Sequence, residues 1–167
     1  AAQVLLALGF GVNAWSRTEK NTGGVVNYHG ANGLDAFLTD TDILIGLLPY
    51  TPDTHDIFNR ELFEKLSRSG PFRAPVFINA GRGGSQVETD IIDCLRDNTL
   101  RGVSLDVFER EPLAPESPLW SFNNAVITPH MAAVSDPLAL ARHVANQIDR
   151  FEAGEDLQFL VDKDRGY

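Results

Sequence analysis

Cysteine is almost absent from this chain: Cys94 is the only one in 167 residues. A single thiol excludes an internal disulfide. With apolar neighbours in a predicted helix over residues 87–97, it reads as a buried small hydrophobe rather than a nucleophile. That usage fits a reducing compartment, and the cytoplasm is the expected location. Long hydrophobic runs are missing too: none approaches the roughly 20 residues that span a bilayer. The opening Ala1-Ala2-Gln3-Val4-Leu5-Leu6 has neither the basic start nor the cleavage site of a secretory signal, so no membrane partner is expected. Positive charge is scarce, with 14 Lys and Arg against 23 Asp and Glu and a net charge of −9. Such a surface is a poor match for nucleic acid, whose binders cluster basic side chains on phosphates. An anionic ligand must therefore be held by local cations. His29, His55 and His143 have no ligand spacing with one another or with Cys94, and no metal site is expected.

What is present is enough apolar residue for one buried core, 43% of the chain. Short apolar runs at residues 12–15, 25–28, 42–48, 75–79, 102–107 and 125–128 alternate with helical patterns at 1–8, 33–38, 60–67, 87–97 and 137–153. That alternation predicts a doubly wound α/β fold around a parallel sheet, of Rossmann type. The run from Asp42 to Leu48 is continuous enough to be buried on both faces. Leu138, Ala141, Val144, Ala145 and Ile148 have helical spacing and are expected in the core. Gly154 marks the one boundary signal, giving a dinucleotide-binding domain over 1–154 and a tail over 155–167. In such a fold the central first strand runs into a Gly-x-Gly-x-x-Gly phosphate loop. Neither is found here. Gly9-Phe10-Gly11 does not substitute, because it ends a helix and opens a strand, the reverse of what phosphate binding at a helix N-terminus requires. The expectation is a fold incomplete at its N-terminus, with a gap between the strands at 12–15 and 42–48, and no working enzyme from these residues alone.

Three strand ends carry complementary chemistry. Phe77-Ile78-Asn79-Ala80-Gly81-Arg82-Gly83 stops at a guanidinium. The stretch Leu105-Asp106-Val107-Phe108-Glu109-Arg110-Glu111-Pro112 leads to a carboxylate, and Thr128-Pro129-His130 stops at an imidazole. Open α/β sheets bind ligands beyond the carboxyl ends of their strands. Arg82 can fork two hydrogen bonds onto a carboxylate. His130 is the natural proton donor near neutral pH, and Glu111 is placed to orient it and stabilise its charged form.

These segments, together with Ser117-Pro118-Leu119-Trp120, resemble the cofactor-domain signatures of the D-isomer-specific 2-hydroxyacid dehydrogenases. Trp15-Ser16-Arg17, the stretch Pro115 to Trp120 and the ending Val161 to Tyr167 are most similar to the glyoxylate/hydroxypyruvate reductase branch. The resemblance implies catalytic roles for Arg82, Glu111 and His130, and a substrate domain lying mostly outside this chain. It also implies a small 2-keto or 2-hydroxy acid as substrate, and a homodimer. Asp106 resembles the residue that meets the nicotinamide carboxamide. Leu48 and Pro49 resemble the loop under the adenine side of the cofactor, and Ala80 and Gly81 leave room beside it. Where NAD-binding folds place an acid for the ribose hydroxyl, this chain has Ser16, Arg17 and Thr18, which favours NADP(H) over NAD. Two alternatives stay open: an NAD-dependent relative with another substrate, and a non-catalytic NAD(P)-sensing protein.

Overall fold

The computed structural model describes residues 1–163; the last four residues of the tail, and with them the end of the Val161–Tyr167 similarity, lie outside the described residues. In chain order the elements are α1 (Ala2–Ala7), β1 (Asn13–Ser16), β2 (Val26–His29), α2 (Gly30–Thr39), β3 (Ile43–Gly46), α3 (Arg60–Glu64), β4 (Val76–Asn79), α4 (Glu88–Arg96), β5 (Gly102–Leu105), β6 (Ala125–Ile127) and α5 (Pro137–Glu152). Every strand pairing is parallel. The strands form a pair, β1–β2, and a separate sheet in the order β3–β4–β5–β6. Among the described residues no ladder joins β1 to β3. A groove of about 350 Å³, lined by Leu5, Ala14, Leu34, Leu44 and Ile45 among others, lies between them. The expected fold class and its interruption both hold.

The core sits under the four-stranded sheet. Phe77 of β4 stacks obliquely on Phe58 and on Phe63 of α3, with ring centroids 4.9 and 5.0 Å apart. Leu62, Leu66, Ile91, Leu95, Leu100 and Leu105 close around them. Each such side chain, fully buried, contributes about 1.5–3 kcal/mol. Two helices are tied in by capping. Asn59 Oδ1 accepts the Leu62 N–H at 3.0 Å to start α3. At the start of α4 Val87 offers no cap, and the Glu88 N–H is taken at 2.7 Å by Glu109 Oε1 from the loop after β5. On α4, Ile91, Ile92, Cys94 and Leu95 form one buried face. Burial also pushes the Cys94 thiol up to about 11, as expected for an inert thiol.

Two expectations are corrected. Residues 42–48 are not buried on both faces: β3 alternates between partly and fully buried positions, and Leu47 is exposed. The missing ladder on its β1 side leaves that face open to the groove. Nor are Leu138, Ala141, Val144, Ala145 and Ile148 in the core; α5 has no buried residue. The helix itself forms as expected, with Asp136 capping the Leu138 N–H at 2.9 Å and Pro137 in the first turn. No described element covers its apolar stripe.

Candidate active site

Parallel pairing in register places the carboxyl ends of β4, β5 and β6 side by side. The turn after β4 carries Arg82, the strand end after β5 carries Asp106, and the turn after β6 carries His130. His130 Nδ1 lies 2.8 Å from Glu111 Oε2, and Glu111 Oε1 also accepts the Phe108 N–H at 3.1 Å. The hydrogen bond from His130 is the main reason the Glu111 carboxyl is held below its ordinary value. Pairing through Nδ1 leaves Nε2 as the ring nitrogen that can meet a substrate. The His130 and Glu111 side chains line a cavity of about 620 Å³ with Phe108, Leu113, Trp120 and Ile127. Trp120 is exposed, and its indole N–H donates to the Ala114 carbonyl at 2.9 Å.

The His130 backbone has φ of 51°, a left-handed conformation that costs a non-glycine residue on the order of 1–3 kcal/mol. Asp106 holds it there. The Asp106 carbonyl accepts the His130 N–H at 2.9 Å. Its carboxylate accepts the Thr128 hydroxyl and, at 2.9 Å each, the N–H groups of Met131 and Ala132. Burial alone would raise this carboxyl; the Thr128, Met131 and Ala132 hydrogen bonds and nearby His130 together hold it below its ordinary value. Asp106 is thus already engaged in clasping the 128–132 loop.

Arg82 lines a second and larger cleft of about 720 Å³. Its walls are Trp15, Ser16 and Arg17 at the end of β1, Leu48 and Pro49 after β3, and Ala80 and Gly81 after β4. A Cβ at Gly81 would sit 3.1 Å from the Leu48 carbonyl oxygen, so glycine lets the two loops approach. The Arg82 guanidinium donates to the Gly81 carbonyl at 2.8 Å. Ser16 donates its hydroxyl to the Thr18 carbonyl at 2.8 Å, and Thr18 itself is not among the lining residues. Lys20 joins Arg17 on the rim, and Arg17 Nη1 lies 4.0 Å from Asp53 Oδ2 across it.

The structure therefore pairs Glu111 with His130 directly, and sets Arg82 with Ser16, Arg17, Leu48, Pro49, Ala80 and Gly81 in the adjoining cleft. The two cavities meet through backbone: Gly83 packs so closely on Phe108 that a Cβ there would overlap the Phe108 carbonyl. Sequence reasoning missed two wholly buried polar residues at this seam, Asn79 and Gln86. Asn79 left a signal, a polar residue closing an apolar strand. Gln86 left none, because its partners are set by tertiary packing alone.

Known proteins resemble this chain over most of its length. The family model described as D-isomer specific 2-hydroxyacid dehydrogenase, NAD binding domain, matches residues 1–132. The NADPH-dependent glyoxylate/hydroxypyruvate reductase of Sinorhizobium meliloti, solved with NADP and sulfate, is 61% identical over 99% of this chain and 52% of its own, with a TM-score of 0.97. A probable 2-hydroxyacid dehydrogenase from Rhizobium etli, solved with NADP, HEPES and tartaric acid, is 57% identical with a TM-score of 0.93 and the same coverage of 99% and 52%. A D-isomer specific 2-hydroxyacid dehydrogenase from Xanthobacter autotrophicus, in complex with NADPH and MES, is 40% identical over 99% of this chain and 66% of its own, with a TM-score of 0.93. The chain spans about half the length of the first two, 52% in each case. With the signature segments in place at the ends of parallel strands, this chain belongs to the D-isomer specific 2-hydroxyacid dehydrogenases, in which it matches the NAD-binding domain.

Proposed function

We propose that the protein to which these residues belong reduces a small 2-keto acid, such as glyoxylate or hydroxypyruvate, to the 2-hydroxy acid with NADPH. The observation that carries the reading is the Glu111–His130 pair at 2.8 Å, set one strand over from the Arg82 turn. The cleft suits the cofactor's adenosine end. Its size lies within the few hundred to about 1,000 Å³ of small-molecule sites. Arg17 and Lys20 stand on its rim, where a 2′-phosphate favours a cation over the acid that NAD folds use. Ser16 and Arg17 form that end of the site, with Thr18 behind them accepting the Ser16 hydroxyl, and Leu48 and Pro49 beneath the adenine side. Ala80 and Gly81 border the nicotinamide side, and Asp106, its carboxylate taken up by the 128–132 loop, shapes that side through the loop.

When bound, NADPH supplies the hydride that adds to the keto carbon. Arg82 holds the substrate carboxylate and keto oxygen in a fork and polarises the carbonyl. His130 delivers a proton from Nε2 to the keto oxygen as it becomes a hydroxyl, and Glu111 keeps the ring oriented and its charged form stable. The dinucleotide-binding domain extends over 1–154 and the tail over 155–167; the described part of the tail is bonded back to α5, with the Gln158 N–H donating to Gln147 Oε1 at 2.8 Å and Arg150 Nε donating to the Asp156 carbonyl at 2.9 Å. The free, buried Cys94 supports a cytoplasmic setting, and the family likeness supports a homodimer.

The test is NADPH oxidation by the protein to which these residues belong, with glyoxylate, hydroxypyruvate and pyruvate. Turnover with at least one of the first two is expected. NADPH binding without oxidation by any of the three would favour a cofactor-sensing protein, and equal turnover with NADH would remove the role given to Arg17.

A further inference from the structure

Gln86, like Asn79, is a wholly buried amide with no solvent exposure, and both ends of its side chain are used. Its Oε1 accepts from Asn79 Nδ2 at 2.7 Å, and its Nε2 donates to the Val107 carbonyl at 3.0 Å. Asn79 in turn holds the Arg82 turn: its Oδ1 accepts the Gly81 N–H at 3.0 Å, and its Nδ2 also reaches the Arg82 carbonyl at 3.3 Å. Because the Gly81 N–H can only donate, the Asn79 amide has one possible orientation. That fixes the Gln86 amide as well, oxygen toward Asn79 and nitrogen toward Val107. The direction of the whole chain of bonds is set by backbone groups alone, the Gly81 N–H that only donates and the Arg82 and Val107 carbonyls that only accept.

The backbone around Gln86 is anchored both to the Arg82 turn and to Phe58. The Gln86 N–H donates to the Gly83 carbonyl at 3.0 Å. Flanking residues bridge to Phe58 on both sides, with Phe58 N–H to the Ser85 carbonyl at 2.9 Å and Val87 N–H to the Phe58 carbonyl at 3.1 Å. On the far side, Val107 leads directly into Phe108, whose N–H is gripped by Glu111 Oε1, the partner of His130. A continuous path of short bonds thus runs from the Arg82 turn through Asn79 and Gln86 to Phe108, Glu111 and His130. The direct backbone contact of Gly83 on Phe108 keeps the two loops from adjusting separately.

We propose that Gln86 is a positioning residue that sets the Arg82 turn at a fixed distance from the Glu111–His130 pair. Gln86 touches neither of them. It determines whether a keto acid forked by Arg82 lies within reach of the proton on His130. The proposal rests on the reduction of a 2-keto acid stated above. Removing the amide leaves the Val107 carbonyl without its buried donor and frees the Asn79 amide on one side. A displacement of the two loops by as little as an ångström can lower the rate by about a hundredfold.

The test uses Gln86→Met in the full chain, with Gln86→Glu as the second variant, which keeps the shape and the Asn79 contact but cannot donate to Val107. Three readouts are taken. Backbone hydrogen exchange at Gly81 and Phe108 should quicken together by at least about tenfold, while Ile91 and Leu100 in the core stay within about twofold. Keto-acid kcat/KM should fall by about ten- to a hundredfold with the NADPH Kd unchanged. In an Arg82→Ala background the Gln86 change should cost less than about twofold more, because the distance it sets no longer matters. Unchanged exchange at Gly81 and Phe108 overturns the proposal whatever the activity. So does faster exchange without loss of turnover, or a full additional loss in the Arg82→Ala background. A parent chain that binds NADPH but turns over no keto acid rejects the functional reading instead, and is told apart because the parent, not the variant, fails.

Discussion

α4 and α5 are both amphipathic helices in this chain, and they have opposite fates. α4 buries Ile91, Ile92, Cys94 and Leu95 against the four-stranded sheet, while α5 buries nothing. The same contrast separates the two sheets. β3 to β6 enclose a core with Phe77 and Leu105 fully buried, whereas every residue of β1 is only partly covered. An apolar stripe states that a helix needs a cover; it does not state which element supplies one. The difference also divides the chemistry. The Glu111–His130 pair and its clasp lie on the packed half, and the cations that would read the cofactor lie on the rim of the open half.

The largest expected effect tests the packed half. His130→Ala in the full chain should lower kcat by about 10²–10⁴-fold with NADPH affinity nearly intact. Glu111→Gln should lower kcat by about tenfold or more with NADPH affinity intact, because the His130 ring loses the carboxylate that orients it at 2.8 Å. An unchanged kcat removes Glu111 from the mechanism.

Stability measurements sharpen the contrast between the halves. Phe77→Ala should cost about 3–5 kcal/mol as a fully buried aromatic. Ile148→Ala on exposed α5 should stay within about 0.5 kcal/mol. Denaturant titration decides it: an Ile148→Ala loss of about 2 kcal/mol or more, the range of a buried site, would put a cover over α5 and erase the comparison.

On the open half, Arg17→Ala should raise the KM for NADPH far more than that for NADH. The difference should match a charge-assisted hydrogen bond of about 1.5–3 kcal/mol. Equal losses for the two cofactors would show that the rim does not read the phosphate.

The smallest expected effect is in acid. Asp106 and Glu111 are held below their ordinary values, and Asp97 is held at about 2 by hydrogen bonds from Thr99 and by Arg60. Carboxyls lowered by folding stabilise the fold fully above the ordinary range near about pH 4. That stabilisation is lost as pH falls through the lowered values. Acid unfolding of Glu111→Gln should therefore begin from a lower plateau and fall less steeply than in the parent. An identical curve would mean that the pair adds nothing to stability.

The order of elements was legible because β3, β4 and β5 are short apolar runs bounded by turn residues, and because α4 and α5 keep a helical period. The places of Arg82 and His130 in the fold were legible because each lies three residues beyond a strand end, while Glu111 follows in the loop after β5. Other features depend on partners far away in sequence. The cap of α4 comes from Glu109, with Glu88 returning the bond to the Glu109 N–H at 2.7 Å, and no local pattern announces it. Gln86 sits in a stretch that reads as an ordinary turn. The ends of β3 retreat from 42–48 to 43–46 because Leu47 and Leu48 face the cleft, where ladder bonds stop. The Asp53 carboxylate opposite Arg17 was invisible for the same reason: the rim is assembled from two loops.

The contact of Gly83 on the Phe108 carbonyl bears on how such a site can be altered. A library randomised at position 83 should return glycine under selection for folding alone, since any β-carbon there collides with backbone rather than with a side chain able to rotate away. Selection for new substrates would then find its variation elsewhere, at exposed positions such as Trp120 and Tyr50, while the seam between the two loops stays fixed.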